Sequence, residues 1–318
     1  MPRQSNLAGA LLALAAFAVF STHDVVVKSL GATYAPMQIV FFSVLLGFPL
    51  ALFSLVGMKD AGTLRPVHPG WMAGRTLAAV VTGLSAFHAF STLPLTQVYA
   101  ILFATPLLIT VLAIPVLGER VRLRRWAAVI VGLGGVLIVL RPGSADLTLG
   151  HGAALVAACG AATAAVIVRR IGPEEKAMAL LLYPMLANFV VMGAILPFVY
   201  RPMPLMDLVA QGAVALCAFV AALLIIAAYS RAEAAIVAPM QYSQIVWATL
   251  FGIVLFDERP DGPTLLGAAI VTASGLYILL REGQGGSVHR PVLRTRSRPE
   301  TGTQLRIGPL LRRDAADD

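Results

Sequence analysis

The chain has 318 residues, of which 58% are hydrophobic and only 13% are charged. Soluble domains carry about 25% charged residues, and a soluble globule cannot hide this much apolar surface, because surface grows too slowly with mass. Disorder over the whole chain is excluded too, and two cysteines are too few for a disulfide scaffold. The composition therefore predicts a polytopic membrane protein.

Ten apolar runs, separated by short segments rich in Pro and Gly, predict ten membrane spans. A cleaved signal peptide ending near residues 16–18 is the alternative for the first run. It is disfavoured because the run continues well past that point. The fold class expected is an all-α membrane protein. The predicted spans are residues 7–30, 36–57, 71–92, 97–117, 124–140, 150–168, 177–199, 207–229, 236–256 and 263–280.

The basic residues lie mainly on one side of these spans. With a cytoplasmic N-terminus, only four of the 24 basic residues fall on the outer side, as expected from the excess of Lys and Arg in cytoplasmic loops. The segment 283–318 adds seven arginines. We expect it to be a disordered basic tail in the cytoplasm that weakly attracts anionic lipid, not nucleic acid. The outer four are Lys28, Arg141, Arg201 and Arg259.

The two halves of the chain resemble each other at an offset of about 140 residues. Residues 9–31 align without gaps to residues 150–172, so that Lys28 matches Arg169, and Glu119 matches Glu258 farther along. Each copy holds five predicted spans, and since five is odd, the second copy enters the membrane from the opposite side. The pattern predicts two inverted five-helix repeats with a site between them, as in many secondary transporters. A duplication without a transport role is the alternative.

Two segments carry a resemblance to a known family: TPLLITVLAIPVLGERVRLRRWAAVIVGLGGVLIVLRPG (105–143) and APMQYSQIVWATLFGIVLFDERPDGPTLLGAAIVTASGLYILLREG (238–283). On them the chain resembles the drug/metabolite transporter superfamily, specifically its EamA-type ten-helix transporters. The segment HDVVVKSLG (23–31) is similar to members that carry S-adenosylmethionine or riboflavin. Those relatives often have Arg where this chain reads Phe41-Phe42-Ser43. The resemblance implies a first EamA-like repeat over 1–143, a second over 144–282, and the tail beyond.

His23, Asp24 and Lys28 are polar residues within the first predicted span. A charge at the centre of a span costs ~2.5–3.5 kcal/mol on insertion scales, so such a residue needs a partner or lines a cavity. His23 and Asp24 match Ala164 and Ala165 in the second repeat. The fold itself therefore does not require the pair, which favours substrate binding. The alternative is an Asp24–Lys28 pair near the outer interface, with Lys28 snorkelling.

His88 in the third span is predicted to lie at the depth of Asp24, because both spans run from inside to outside and each residue lies about 17 positions beyond its inner end. A His–Asp contact between the helices could hold a proton or bind a cationic group. The alternative for a lone histidine is a hydrogen bond between helices. Arg75, nearer the inner end of this span, is interpreted as an interface anchor.

Span nine carries a polar stripe. Gln241, Gln244 and Trp247 recur every three residues and therefore share one helical face, with Tyr242 beside them. Amides and an indole suit a planar or heterocyclic ligand, with hydrogen bonds at its edge and stacking on its face. The alternative is that the glutamines bond neighbouring helices.

The remaining site candidates are weaker. Tyr99 lies near the start of span four, which Pro106 and Pro115 could bend. Tyr183 and Asn188 lie near mid-depth of span seven and, with Lys28, are secondary candidates for the site. The glutamates that end spans four and nine resemble gate contacts more than substrate ligands.

The expected function is secondary transport of a small organic metabolite across a bacterial-type inner membrane by alternating access, with S-adenosylmethionine- or riboflavin-like substrates. Proton coupling is a hypothesis that goes with it. The alternatives are a membrane-embedded enzyme or auxiliary subunit without transport activity, and a simple channel. We expect no catalytic residues, metal or cofactor: no enzyme motif occurs, and the GLGG at 132–135 suits close helix packing. The expected partners are the substrate and the bilayer, with a homodimer possible and both termini cytoplasmic.

Overall fold

The computed structural model describes residues 6–55, 65–119, 121, 123–142, 147–232 and 234–284, which are helical and form no β-strand. Most of the predicted basic tail lies outside these residues. The helices are α1 (Asn6–Gly31), α2 (Pro36–Leu55), α3 (Pro69–Thr92), α4 (Leu95–Leu102), α5 (Thr105–Leu117), α6 (Leu123–Leu140), α7 (Leu149–Ile171), α8 (Ala177–Val199), α9 (Leu205–Arg231), α10 (Ala234–Val237), α11 (Gln244–Phe256) and α12 (Gly262–Gln284), with a 3-10 segment at Ala238–Ser243.

Each predicted span corresponds to one helix or to a run of consecutive helices. Within the described ranges, seven helical stretches are long and apolar enough to cross a membrane by length and composition. Two shorter apolar helices, Pro36–Leu50 and Gly262–Ile278, accompany them. The chain is therefore an all-helical protein with many membrane-capable helices.

Two of the predicted spans are interrupted. Span four divides into α4 and α5 at Phe103 and Ala104, just before Pro106 in the first turn of α5. Pro115 lies inside α5 without ending it, so the interruption of span four falls at the earlier of the two prolines. Span nine divides into α10, the 3-10 segment and α11, with Pro239 in the 3-10 segment. These spans match each other in the sequence repeat, so both halves carry the same kind of break.

The helices pack in pairs that join the two halves of the chain. α1 lies along α9, and α7 lies along α3, so the first span of each half packs on the third span of the other half. The fifth spans, α6 and α12, pack on each other, as do the second spans, α2 and α8. The halves therefore interlock instead of forming two separate bundles.

Small residues let α6 and α12 approach closely. Gly135 of α6 faces the backbone of Gly267 in α12, and Gly132 faces Ser274. The Ser274 hydroxyl also donates a hydrogen bond to the carbonyl of Ala128. The prediction that the GLGG segment serves close helix packing is confirmed, because no larger side chain would fit at Gly132 or Gly135.

The same turn ends α5 and α11. Gly118 follows α5 with φ 69°, and Asp257 follows α11 with φ 50°. In this left-handed cap the next residue turns back on the helix: the amide of Glu119 donates to the carbonyl of Ala113 at 3.4 Å, and that of Glu258 to the carbonyl of Gly252 at 2.9 Å. Two glutamates are thus placed at the ends of the broken spans.

We expect Gly267→Ala to destabilise the protein by about 1–3 kcal/mol, the usual cost of overpacking. A methyl group at residue 267 would lie 2.5 Å from the carbonyl oxygen of Gly135 and 2.6 Å from Val139. Thermal unfolding of the purified protein measures the effect. Gly134→Ala is the matched control, since a methyl there meets nothing within 4 Å, and its melting temperature should stay the same or rise. Equal melting temperatures for the two variants would contradict this packing.

Candidate functional site

A hydrogen-bonded network connects α1, α4 and α11 in the interior. Nδ1 of His23 lies 2.7 Å from Oδ1 of Asp24, and the hydroxyl of Tyr99 donates to the other carboxylate oxygen, Oδ2. The side-chain amide of Gln244 donates to the Tyr99 oxygen at 3.2 Å. The hydroxyl of Tyr99 therefore links the carboxylate of Asp24 to a side chain from the other half of the chain.

This network is fully enclosed. Asp24 is 2% exposed and Gln244 is 0% exposed, and Asp24 stands 18 residues after the start of α1, roughly 27 Å along the helix. A carboxylate buried to this degree needs hydrogen-bonding partners. The carboxylate of Asp24 can therefore accept a proton, or accept a hydrogen bond from a donor group of a ligand that binds beside these partners.

Several polar atoms next to the network lack partners. Within the described part of the chain, no hydrogen bond reaches the hydroxyls of Tyr242 and Ser243, Oε1 of Gln244 or Nε1 of Trp247, although all four atoms are buried. Buried polar groups are nearly always paired in folded proteins. These four residues between positions 242 and 247 therefore offer donors and acceptors that are available for hydrogen bonds.

Aromatic rings line the same region. Phe103 and Tyr242, which match each other in the sequence repeat, meet edge to face with centroids 5.0 Å apart. Tyr99 lies 5.9 Å from Phe103, and Trp247 stacks on Phe251 at 6.2 Å. The region can offer a heterocycle both apolar faces and hydrogen bonds at its edge.

The predicted polar stripe of span nine lies on a backbone that differs from a continuous α-helix. Gln241 and Tyr242 lie in the 3-10 segment, and the regular helix begins at Gln244. A 3-10 helix has three residues per turn, so Gln241 and Gln244 still fall on one side. The sequence pattern could not distinguish the two helix types because both keep residues three apart together.

His88 is not brought to the network. It lies on the face of α3 that carries the exposed Leu77 and Val81, eleven and seven residues earlier. Its half-buried imidazole makes no hydrogen bond within the described residues. The histidine beside Asp24 is His23, whose ring also meets Phe87 edge to face at 6.0 Å.

Lys28 pairs with a glutamate of the other half and not with Asp24. Its Nζ lies 2.8 Å from Oε1 of Glu258 and donates to the carbonyl of Leu93 at 2.5 Å. The second oxygen of Glu258 accepts from the backbone amide of Leu95 at 2.9 Å. The Asp24–Lys28 pair that the sequence allowed is therefore wrong, because Lys28 reaches outward to the end of α11.

The matching residues form a second ion pair. Nη2 of Arg169 lies 2.5 Å from Oε1 of Glu119. Next to it, Arg170 donates to the carbonyl of Val116 and stacks on Trp71, 4.7 Å from the ring centroid. Each pair thus joins the end of a first span in one half to the end of the broken span in the other.

The two candidates on α8 lie apart from the network. Tyr183 is exposed on the helix surface. Asn188 donates to the carbonyl of Pro184 in its own helix at 2.9 Å, and its Oδ1 is buried without a partner beside Gly83 of α3. The structure therefore places Asn188 between α8 and α3, and Tyr183 on the outside.

Arg75 was missed as a candidate. The sequence suggests an interface anchor, but the side chain is only 6% exposed, and its Nε and Nη1 find no hydrogen-bond partner within the described residues. The interface interpretation is wrong because the guanidinium lies inside the protein. Its signal in the sequence was a single Arg within an otherwise uncharged span.

Metal chemistry finds no support within the described ranges, where no three His, Cys, Asp or Glu side chains cluster as a metal site would require. The chemistry that the site offers is hydrogen bonding, proton exchange and stacking.

Several known transporters are similar to this chain. The chain is 26% identical to an S-adenosylmethionine uptake transporter of Rickettsia bellii over 82% of this chain and 90% of the relative. It is 26% identical to a riboflavin transporter of Vibrio cholerae, over 86% and 93%. It is 24% identical to the pseudopaline exporter CntI of Pseudomonas aeruginosa, over 84% and 94%.

A solved crystal structure matches with a TM-score of 0.60 at 20% identity, covering 87% of this chain and 99% of that one, which shows a shared fold. The profile of the EamA-like transporter family matches twice, over residues 7–141 and 148–280. These relatives are named as small-metabolite transporters of bacteria, and most of the chain is covered by the two matches. The chain is a multi-pass membrane protein that belongs to the EamA-like transporter family.

Proposed function

We propose that the chain is a secondary transporter of the inner membrane that carries an S-adenosylmethionine- or riboflavin-like metabolite by alternating access. The observation that carries this proposal is the buried network on Asp24, with unpartnered polar groups of Tyr242, Gln244 and Trp247 beside it. A transporter needs such an enclosed polar site, whereas a membrane-embedded enzyme would need clustered nucleophiles or metal ligands at one depth.

The ten spans form two inverted repeats of five in this proposal. Three features support it: the family profile matches twice, the first span of each half packs on the third of the other, and the matching spans four and nine are both broken. Broken helices at matching positions of two repeats typically flank the substrate site of a transporter. In this arrangement both termini face the cytoplasm, which fits the basic loops.

The substrate would bind between Asp24 on one side and the segment from Tyr242 to Trp247 on the other. Trp247 would stack on a ring, and the free oxygen of Gln244 would accept a hydrogen bond from it. The carboxylate of Asp24 would receive a cationic or donor group. His88 is left out of the site, because it shares a helix face with exposed residues.

The two ion pairs provide the gates. Lys28–Glu258 closes the outer ends of α1 and α11, and Arg169–Glu119 closes the inner ends of α7 and α5. The two ion pairs are formed by residues at matching positions and lie on opposite sides. Opening one side therefore breaks one ion pair and keeps the other. Lys28 and Glu258 are each 13% exposed, so water reaches them readily once the helix ends separate.

Asp24→Asn should lower uptake into proteoliposomes about 10- to 100-fold, since hydrogen bonds to charged groups contribute about 1.5–3 kcal/mol. Gln244→Ala should lower it less, about 2- to 10-fold, since its bond to the neutral hydroxyl of Tyr99 contributes about 0.5–1.5 kcal/mol. The measurement uses radiolabelled S-adenosylmethionine and riboflavin, with thermal shift as a check on binding. Tyr183→Phe, on the exposed face of α8, is the control and should keep normal flux. Normal flux in both site variants would remove the proposed site.

Transport should depend on a proton gradient if Asp24 exchanges a proton during the cycle, with His23 beside it as the second titratable group. Uptake of the same substrates is measured before and after the pH gradient is collapsed, with the membrane potential clamped. A large loss on collapse is expected in the wild-type protein. Unchanged uptake would show that transport is not proton-coupled.

Glu258→Gln and Glu119→Gln should open opposite sides of the protein. In a background without Cys159 and Cys217, a reporter cysteine replaces Val25, one turn inside Lys28, or Ala165, one turn inside Arg169; both sites are buried. A water-soluble thiol reagent should react about tenfold faster with the outer reporter in Glu258→Gln, corresponding to a shift of roughly 1.4 kcal/mol. The inner reporter should respond only to Glu119→Gln.

The unchanged reporter in each variant is the internal control for this experiment. If both substitutions accelerate the same reporter, or if neither accelerates any, the two ion pairs do not act as gates on opposite sides. General loosening of the protein would accelerate both reporters together and is recognised in that way.

A further inference from the structure

Arg75 is a buried cation that the proposed site and gates do not use. It stands six residues after the start of α3, roughly 9 Å along the helix, whereas Asp24 stands roughly 27 Å along α1. In the proposed topology both helices run from inside to outside. Arg75 therefore belongs to the inner half of the membrane, well separated from the Asp24 network.

No carboxylate of the described residues pairs with Arg75. Among the described residues, the acids at the inner ends of α3, α5 and α7 all have other partners, and they leave Nε and Nη1 of the guanidinium without an acceptor. These acids are Glu119, paired with Arg169, Glu174, paired with the imidazole of His68, and Glu175, which accepts from the amide of His68 at 2.7 Å.

The side chain also cannot escape to the lipid surface. Arg75 lies on the buried face of α3 that carries Ala78 and Thr82, and this face packs against Gly160 of α7. The exposed Leu77 marks the lipid-facing side of the helix, about 160° away. Snorkelling toward headgroups along the outside is therefore not available to Arg75.

We infer that Arg75 binds an anionic group, a carboxylate, of the transported molecule at a subsite in the inner half of the pathway. This inference rests on the proposed transport function and narrows its substrate class. A guanidinium matches a carboxylate in a planar, two-bond geometry that a lysine cannot reproduce. S-adenosylmethionine carries a carboxylate and riboflavin does not, so the subsite favours the amino-acid-bearing class of substrate.

An anionic lipid headgroup would offer similar chemistry. Arg75 is buried on the face of α3 that packs against α7. This favours a soluble molecule, which arrives through the interior, and disfavours a lipid, which approaches from the outside. The experiment separates the two sources by placing the protein in nanodiscs of phosphatidylcholine alone or with added phosphatidylglycerol.

The test measures melting temperature with sodium acetate substituted for sodium chloride at constant ionic strength. In phosphatidylcholine nanodiscs, acetate at high millimolar concentration should stabilise the wild-type protein by about 1 °C or more, by mass action. Arg75→Met should abolish this shift and raise the melting temperature without acetate by about 2–4 °C, because it removes an unpaired buried charge. Arg75→Lys should keep only part of the acetate shift.

Arg124→Met is the matched control, because Arg124 is exposed at the start of α6 and its loss should leave the acetate shift intact. No acetate shift in the wild-type protein, or an equal shift in Arg75→Met, overturns the inference. An acetate shift that disappears when phosphatidylglycerol is present assigns Arg75 to lipid and overturns it as well. The melting-temperature assay requires no transport, so it can be interpreted even if S-adenosylmethionine uptake fails. Failure of uptake would then count against the proposed function alone.

Discussion

The hydrogen bond from Tyr99 to Asp24 is the interaction on which the centre of the molecule depends. Tyr99 can reach the carboxylate because α4 stops at Leu102 and a separate helix, α5, resumes at Thr105. The break also leaves Phe103 beside Tyr242, which brings the 3-10 segment of the other half into the same space. Gln244 then completes the network from the helix that follows. Through Tyr99, the carboxylate of Asp24 is linked to the other half of the chain.

The forces that hold the helices differ between the middle and the ends of the spans. Along α6 and α12, glycines allow contact between the two backbones. Helices in a membrane associate through such close packing, because burial of apolar surface does not drive them together in lipid. At the ends of the spans, the ion pairs Lys28–Glu258 and Arg169–Glu119 are partly exposed, and such pairs contribute less to stability than buried contacts do. A motion that separates helix ends about a fixed centre therefore costs less than one that separates the α6–α12 seam.

Much of this architecture could be predicted from the sequence. Apolar runs gave the helices, and the alignment of Lys28 with Arg169 and of Glu119 with Glu258 identified the residues that form the ion pairs. What the alignment could not give is the partner of each residue. Lys28 is four positions from Asp24, and helical spacing allows the two side chains to pair. In the structure, however, its ammonium group reaches Glu258, 230 positions later. Helical periodicity describes one helix, whereas the partner depends on how far its neighbours are rotated.

Arg75 and His88 show what residue number alone leaves open. Both lie on α3, and their positions along the helix follow from residue number, since the rise per residue is fixed. Residue number does not give the direction of a side chain around the helix axis, because α3 is apolar on almost every side and its sequence gives no contrast between lipid and protein. In the structure Arg75 is buried, and His88 is half-buried on a face of α3 that carries exposed residues.

The helix pairings and the turns that end α5 and α11 match between the two halves of the chain, but the polar side chains of the interior do not. His23 and Asp24 align with Ala164 and Ala165, whereas residues at matching positions form the two ion pairs that join the halves. This division follows from what each feature has to do. A motion that exposes one site to two faces requires two equivalent ends, so the residues at the ends must be duplicated. A substrate without twofold symmetry requires different groups on its different sides, so the residues that hold it must differ between the two halves.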